Sequence, residues 1–273
     1  MITTTEKHTS QEENVKEAFS RQAPVFDGDD KGNPILQWMR TKVRTSVLSL
    51  LKKQAHILEL NCGTGIDTVF FAEQGFHVTA TDIAPGMLEQ LDKKRKSLHL
   101  EDRIDIQQCS FNNLQDLKEK KFDHVFSNFG GLNCTENLDK VIQDIKQLLY
   151  PGGTATLVVM PPICLWELAL ALKGNFKTAF RRFKKNGAVS HLEGINFTTW
   201  YYTPKYIARS FGKDFSVKEI KGLGIIVPPP YLYHVAINHP KLFKILTKVE
   251  SKIGSLKPFR SFGDHYLISV QKK

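Results

Sequence analysis

The chain has 273 residues, of which 41% are hydrophobic and 24% charged, and a formal net charge of +10. That length suits one large α/β domain with insertions or two small domains, and the apolar share is enough for a substantial core. No apolar run reaches the roughly 18 residues of a membrane span, and the polar start MITTTEKHTSQEEN lacks the apolar centre of a secretory signal.

Cys62, Cys109, Cys134 and Cys164 form no CxxC pair and no regular framework, so a reduced, cytoplasmic protein without a metal centre is expected. The basic surface fits nucleic acid, an anionic membrane, an acidic small molecule, or simple solubility.

In chain order, residues 1–12 read as disordered, 13–22 (ENVKEAFSRQ) as a short helix, and 26–34 (FDGDDKGNP) as a loop, because turn formers crowd there. Pro34 opens a helix over 34–53 with apolar residues at helical spacing. Strands and helices then alternate. Strands are expected at 56–60, 77–83, 103–109, 122–129 and 154–160, with helices at 67–75, 85–98 and 137–149 between them. That alternation predicts a parallel sheet with helices on both faces.

After residue 162 the regularity falters. A basic, helix-like segment (172–187) leads to the β-flavoured GINFTTWYYT. A helix at 204–212 follows, then a sixth strand at 215–227, a helix-bearing insertion over 228–262, and a final strand, DHYLISVQKK. The expected organisation is a helical lid (1–54), a core (55–162), a lid insertion (163–202), and the rest of the core (203–273) with its insertion at 228–262.

The stretch ILELNCGTGIDTVFFAEQGFHVTATDI, residues 57–83, reads as strand, glycine turn, helix, strand, then Asp82. Such a turn offers free backbone N–H groups and the positive end of a helix dipole. An acid after the second strand can accept from both hydroxyls of a ribose. The turn is not G-x-G-x-x-G, since Thr68 stands at the third glycine position, and Glu59 suits a cationic ligand better than a pyrophosphate. Asn61 holds the first glycine position and is among the few residues that accept left-handed backbone angles.

ILELNCGTG and VTATDIAPGML, with IQQCSF, FDHVFSNF and IKQLLYPGGTATLVV in that order, resemble class I S-adenosylmethionine-dependent methyltransferases of the small-molecule type. The resemblance covers residues 55–160 and returns weakly in the last two strands. It implies a Rossmann-like α/β sheet of seven strands, the last antiparallel. It also implies S-adenosylmethionine as cofactor, with S-adenosylhomocysteine as product. Glu59, Asn61, Cys62, Gly63 and Gly65 would form the turn on the methionine part, Asp82 would bind the ribose, and Ile83 and Met87 would pack on the adenine. Cys109, Ser110 and Phe111 would flank the adenine, although relatives often carry Asp where Ser110 stands. Asn128 and Phe129 would lie under the methyl donor, and Phe19, Phe26 and Arg40 would cover the cofactor, Arg40 pairing with its carboxylate.

Both insertions leave the carboxyl edge of the sheet, where ligands of open α/β sheets bind. Their aromatics, among them Trp166, Phe176, Trp200 and Tyr231, suit a small aromatic or apolar acceptor methylated at oxygen or carbon. His191, His234, His265 and Tyr202 are the catalytic candidates. Asp264 adjoins His265, but neighbours on a strand point to opposite faces. Nucleic acid is disfavoured as partner, because no RNA-binding module is evident and Asn128-Phe129 is not followed by proline. An RNA methyltransferase and a non-catalytic cofactor-binding module are the competing readings. The basic run through Lys173, Lys177, Arg181, Arg182, Lys184 and Lys185 fits a solvated helix face, a membrane-surface helix or an anionic-substrate funnel.

Overall fold

The apolar run HILEL forms strand β1 (His56–Leu60), with four of its five residues buried. A strand hidden on both faces needs covering layers, and the chain supplies them by alternating helix and strand. The computed structural model describes the backbone of residues 4–273 and the side chains from residue 10 onward. Helices α1 (Thr4–Lys31) and α2 (Pro34–Leu48) precede β1. Then follow α3 (Ile66–Glu73), β2 (His77–Asp82), α4 (Pro85–Ser97), β3 (Ile104–Gln108), β4 (Phe122–Ser127), α5 (Leu138–Leu148) and β5 (Leu149–Val159). The first insertion holds α6 (Leu165–Ala169), α7 (Phe176–Ala179), β6 (Ala188–Leu192) and β7 (Ile195–Thr199). After α8 (Pro204–Phe211) and β8 (Phe215–Leu223), the second holds α9 (Tyr233–Asn238) and α10 (Pro240–Ile253), and β9 (His265–Lys272) closes the chain.

The main sheet has seven strands in the order β3-β2-β1-β4-β5-β9-β8, and β6 pairs with β7 apart from it. Strands β1 to β5 are parallel to one another, while β9 runs antiparallel to both β5 and β8. One face carries α5 and α8 through Val141, Ile145, Ile207 and Phe211; the other carries α2 to α4 through Met39, Phe71 and Leu91. Each such fully buried side chain contributes about 1.5–3 kcal/mol of transfer free energy. Asn33 caps α2 by accepting from the amides of Ile35 and Leu36, with Pro34 at the first helical position.

Two segments depart from the sequence expectation. Residues 1–3 lie outside the described residues, but 4–12 are helical rather than disordered, and α1 runs on through FDGDDK, where a loop was expected. Tertiary partners hold this propensity-poor helix. Gln11 bonds the carbonyl of Thr198 (2.9 Å), and Glu12 accepts from Ser110 (2.9 Å) and Asn112 (2.5 Å). Asp27 accepts from Thr64 (2.5 Å), and Asp30 pairs with Arg40 (2.5 Å). The basic segment is not one helix. Gly174 takes a left-handed angle (φ 77°) and Asn175 caps α7 afresh, so the run breaks into short turns.

Candidate active site

The turn after β1 is built from left-handed residues: Asn61 at φ 47°, Gly63 at 57° and Gly65 at 79°. Asn61 ties β1 to the loop after β4, donating to the Asn128 carbonyl (3.0 Å) and accepting from Ser127 (2.6 Å). A Cβ on Gly131 would fall 2.3 Å from Asn61 Cγ, so the asparagine side chain takes space that only a glycine across the turn leaves open.

Asp82 ends β2, accepting from the amides of Gly63 (2.9 Å) and Ala84 (2.9 Å). Burial raises its pKa, and those amides counter the shift. A Cβ on Gly63 would meet only Phe26 at 3.9 Å and Met87 at 4.0 Å, so the bare backbone faces open space beside Asp82.

That space is a cavity of 260 Å³ at the carboxyl edge of the sheet. Of the residues expected at a cofactor, Phe19, Phe26, Asn61, Gly63, Asp82, Ile83, Met87, Phe111, Asn128 and Phe129 line it.

Six others do not. Glu59 is buried and accepts from Thr68 (2.6 Å). Burial first, then the Asp67 charge, pushes its pKa up to about 8, so it offers no anion to a cation at neutral pH. Arg40 is held by Asp30 and Asp67, whose charges outweigh the burial that opposes its own, and it lies over the Phe129 ring at 4.7 Å. A cofactor carboxylate would compete with two carboxylates already in place. A Cβ on Gly65 would fall 2.2 Å from Leu91, so this glycine serves the packing of α3 on α4. The Cys62 thiol points at the Gly63 carbonyl (3.6 Å) and the Cys109 thiol at Asn113 (3.2 Å), while Ser110 is bonded to Glu12.

The lining also includes Val15, Gly130, Gly131, Cys134, Met160, Ser190, Phe197 and Thr199, which sequence reasoning missed. The double glycine in SNFGGLN was a readable signal for the loop after β4. No local pattern marks β6–β7 as a wall.

Among the catalytic candidates, His191 and His234 are exposed. Tyr202 is buried and donates to the Thr135 carbonyl, with its pKa raised by burial. His265 does not line the cavity but packs against two residues that do, Phe129 and Gly130. Its ring meets Phe129 edge-on at 5.8 Å, and its Nε2 lies 3.3 Å from where a Cβ of Gly130 would stand.

Contrary to the expectation of opposed faces, Asp264 Oδ2 sits 3.0 Å from His265 Nδ1. Asp264 precedes β9, and Gly263 at φ 149° turns the chain there, so the alternation of a strand does not apply. Arg182 Nη2 bonds Asp264 Oδ1 (2.9 Å) and Glu167 (2.7 Å). The Asp264 carboxyl is held well below its usual range, His265 and Arg182 outweighing the burial that would raise it. Arg182 is therefore not part of a solvated basic face.

Among the described residues, two groups place three ligand-type side chains close together. In Cys164, Glu167 and Asp264 both carboxylates are bonded by arginine; His56, His77 and Asp105 lie at the opposite, amino edge of the sheet.

Residues 57–153 match a family described as Methyltransferase domain. Over 144 residues the chain is 30% identical to a demethylmenaquinone methyltransferase of Leptospira interrogans, spanning 51% of this chain and 57% of that protein. It is 26% identical over 229 residues to the ubiquinone/menaquinone biosynthesis C-methyltransferase UbiE of Campylobacter jejuni, covering 78% of this chain and 89% of that one. The crystal structure of an S-adenosylmethionine dependent methyltransferase from Mesorhizobium loti shares the fold, with a TM-score of 0.53 at 14% identity over 84% of this chain and 96% of that one.

The matched segment is similar to a methyltransferase domain and spans β1 to the start of β5. The chain spans little more than half the length of the first of these relatives. The glycine turn and Asp82 come from the matched segment, whereas α1, β6–β7 and His265 lie outside it.

Proposed function

We propose that the chain binds S-adenosylmethionine at the Gly63–Asp82 turn and methylates a small apolar or aromatic acceptor at carbon or oxygen. The observation that carries this reading is the bare Gly63 backbone facing the cavity beside the amide-held Asp82 carboxylate. Such an arrangement leaves room beside Asp82 for a ribose and the chain attached to it. The similarity to proteins named as quinone C-methyltransferases supports a ring acceptor. A cavity closed by Phe19 and Phe26 from α1 and by Phe197 from β7 suits a small molecule rather than a polymer.

The bound cofactor supplies an electrophilic methyl group. Asp82 orients it through the ribose hydroxyls, with Ile83 and Met87 against the adenine. The phenylalanines of α1 and β7 exclude water and hold the acceptor in line. Asp264, a carboxylate, only accepts, so the proton between it and His265 sits on Nδ1, which leaves Nε2 free to take the acceptor's proton. Helix α1, within residues 1–54, acts as the cover, while α2 packs on the sheet. The four cysteines are all unpaired, which fits the cytoplasm, and no described helix is long and apolar enough to cross a membrane.

Calorimetry with S-adenosylmethionine and S-adenosylhomocysteine, followed by methyl transfer from labelled cofactor to a panel of phenols and quinols, tests this reading. Saturable binding with transfer to a ring acceptor is expected. Absence of binding removes the reading, and binding without transfer to any acceptor favours the non-catalytic module.

A further inference from the structure

The two insertions share an unusual surface. Residues 163–202 hold six basic and two acidic side chains, and residues 228–262 hold six basic and one acidic. Together they carry nine of the chain's ten net positive charges in 75 of its 273 residues. The same 75 residues hold 13 of the 17 exposed large hydrophobic side chains among the described residues. Charge and exposed apolar surface are therefore concentrated on the same two pieces of chain, and a need for solubility explains only the first.

In the first insertion Leu172 is 91% exposed, Phe176 61% and Phe180 51%. Lys173, Lys177, Lys184 and Lys185 stand exposed among them, and no acidic residue occurs between Glu167 and Glu193.

In the second, α10 is apolar on two sides. Phe243 and Leu246 pack on the core, and Glu250 turns inward to accept from the amides of Gly224, Ile225, Ile226 and Val227. Leu242, Ile245 and Val249, at helical spacing, face outward and are exposed. Lys241, Lys244, Lys248 and Lys252 border that stripe along one flank.

The insertions also meet. The Gly263 amide, just past the second, donates to the Ile163 carbonyl that begins the first (3.1 Å), and Arg182 reaches Asp264. They leave β5 and β8, parallel strands on either side of β9, from the same edge of the sheet.

We propose that the two insertions form a membrane-docking face whose occupant is an anionic lipid bilayer. Interleaved lysines and exposed Phe, Leu and Ile match a surface that is negative at its headgroups and apolar just beneath. A nucleic acid would leave the outward Leu–Ile–Val stripe in water. The face adjoins the cavity, since β6–β7 belongs to the first insertion and lines it through Ser190, Phe197 and Thr199. If the proposed methyl transfer holds, a lipid-dissolved acceptor reaches the cavity from the docked side.

Co-sedimentation of the full chain with lipid vesicles, without cofactor or acceptor, tests the docking apart from the reaction. Binding to vesicles with about a third phosphatidylglycerol, weakened by salt and at least about tenfold tighter than to pure phosphatidylcholine, is expected. Phe176→Glu with Ile245→Glu, and separately Lys244→Glu with Lys248→Glu, should each weaken it about tenfold or more. These side chains are exposed, and unchanged thermal unfolding shows that the variants fold. No binding of the parent to anionic vesicles, or binding indifferent to both pairs, overturns the proposal. Stronger, salt-sensitive retention on single-stranded RNA than on vesicles overturns it in favour of a nucleic-acid surface.

Discussion

Asp82→Ala separates what Asp82 does for the fold from what it does for a ligand. The carboxylate accepts the Gly63 and Ala84 amides, each at 2.9 Å, and it is buried. Alanine leaves both donors without a partner, at about 1–3 kcal/mol each, so a stability loss of about 2–6 kcal/mol is expected. That is a large part of a typical folding free energy. Asp82→Asn keeps an acceptor oxygen for one of the amides and should cost less.

Toward the ribose, either change removes charge-assisted acceptance of two hydroxyls. About 3 kcal/mol of lost binding corresponds to more than about a hundredfold in Kd. Calorimetry with S-adenosylhomocysteine on Asp82→Asn, at a temperature where its unfolding curve shows a folded protein, reads the second effect without the first. Saturating cofactor should also raise the parent's unfolding temperature and leave the variant's nearly unmoved. Retention of S-adenosylhomocysteine within about threefold of the parent would refute the placement of the ribose.

The two glycines of the turn should fail in opposite ways. Gly65→Ala drives a Cβ into buried Leu91 and strains φ 79°, for about 2–4 kcal/mol of stability, a Tm fall on the order of 5–15 °C. Gly63→Ala meets nothing closer than 3.9 Å and should spare more stability while blocking cofactor binding. If both variants lose the same stability and bind alike, the turn has been misread.

Glu59→Gln should change the pH profile of unfolding. Because the folded pKa of about 8 lies above the ordinary 4.5, the stabilisation from this group is complete below about pH 4.5 and is lost as pH rises through about 8. Denaturant midpoints should therefore favour the glutamine variant increasingly between those values, and a constant difference would mean that Glu59 is already ionised in the fold. Asp264→Asn should lower kcat by about two orders of magnitude with KM little changed and shift the pH–rate profile, since it unfixes the proton on His265 Nδ1. An unaltered kcat would show that Asp264 does not position His265 for the reaction.

The sheet was legible because its signals are local. Apolar strands alternating with helical periods, and an acid at the end of the second strand, lie within segments whose side-chain spacing reports their own environment. Asn61 was readable for the same reason, because its tolerance of left-handed angles is a property of the residue itself. The cover was not. FDGDDK reads as a loop by propensity, and only partners far along the chain, Thr64 for Asp27 and Arg40 for Asp30, hold it in a helix. Arg182 looked like one more solvated cation until the fold brought Glu167 and Asp264 against it.

The sequence alone therefore determined the α/β alternation, the glycine turn and Asp82. The tertiary structure decided which glycine faces the ligand, which histidine stands beside the cavity, and which of the expected polar residues are committed elsewhere. The physical reason is range: backbone angles and apolar periodicity are set within a few residues, whereas cavity walls and buried ion pairs such as Arg182–Asp264 exist only after distant segments have packed.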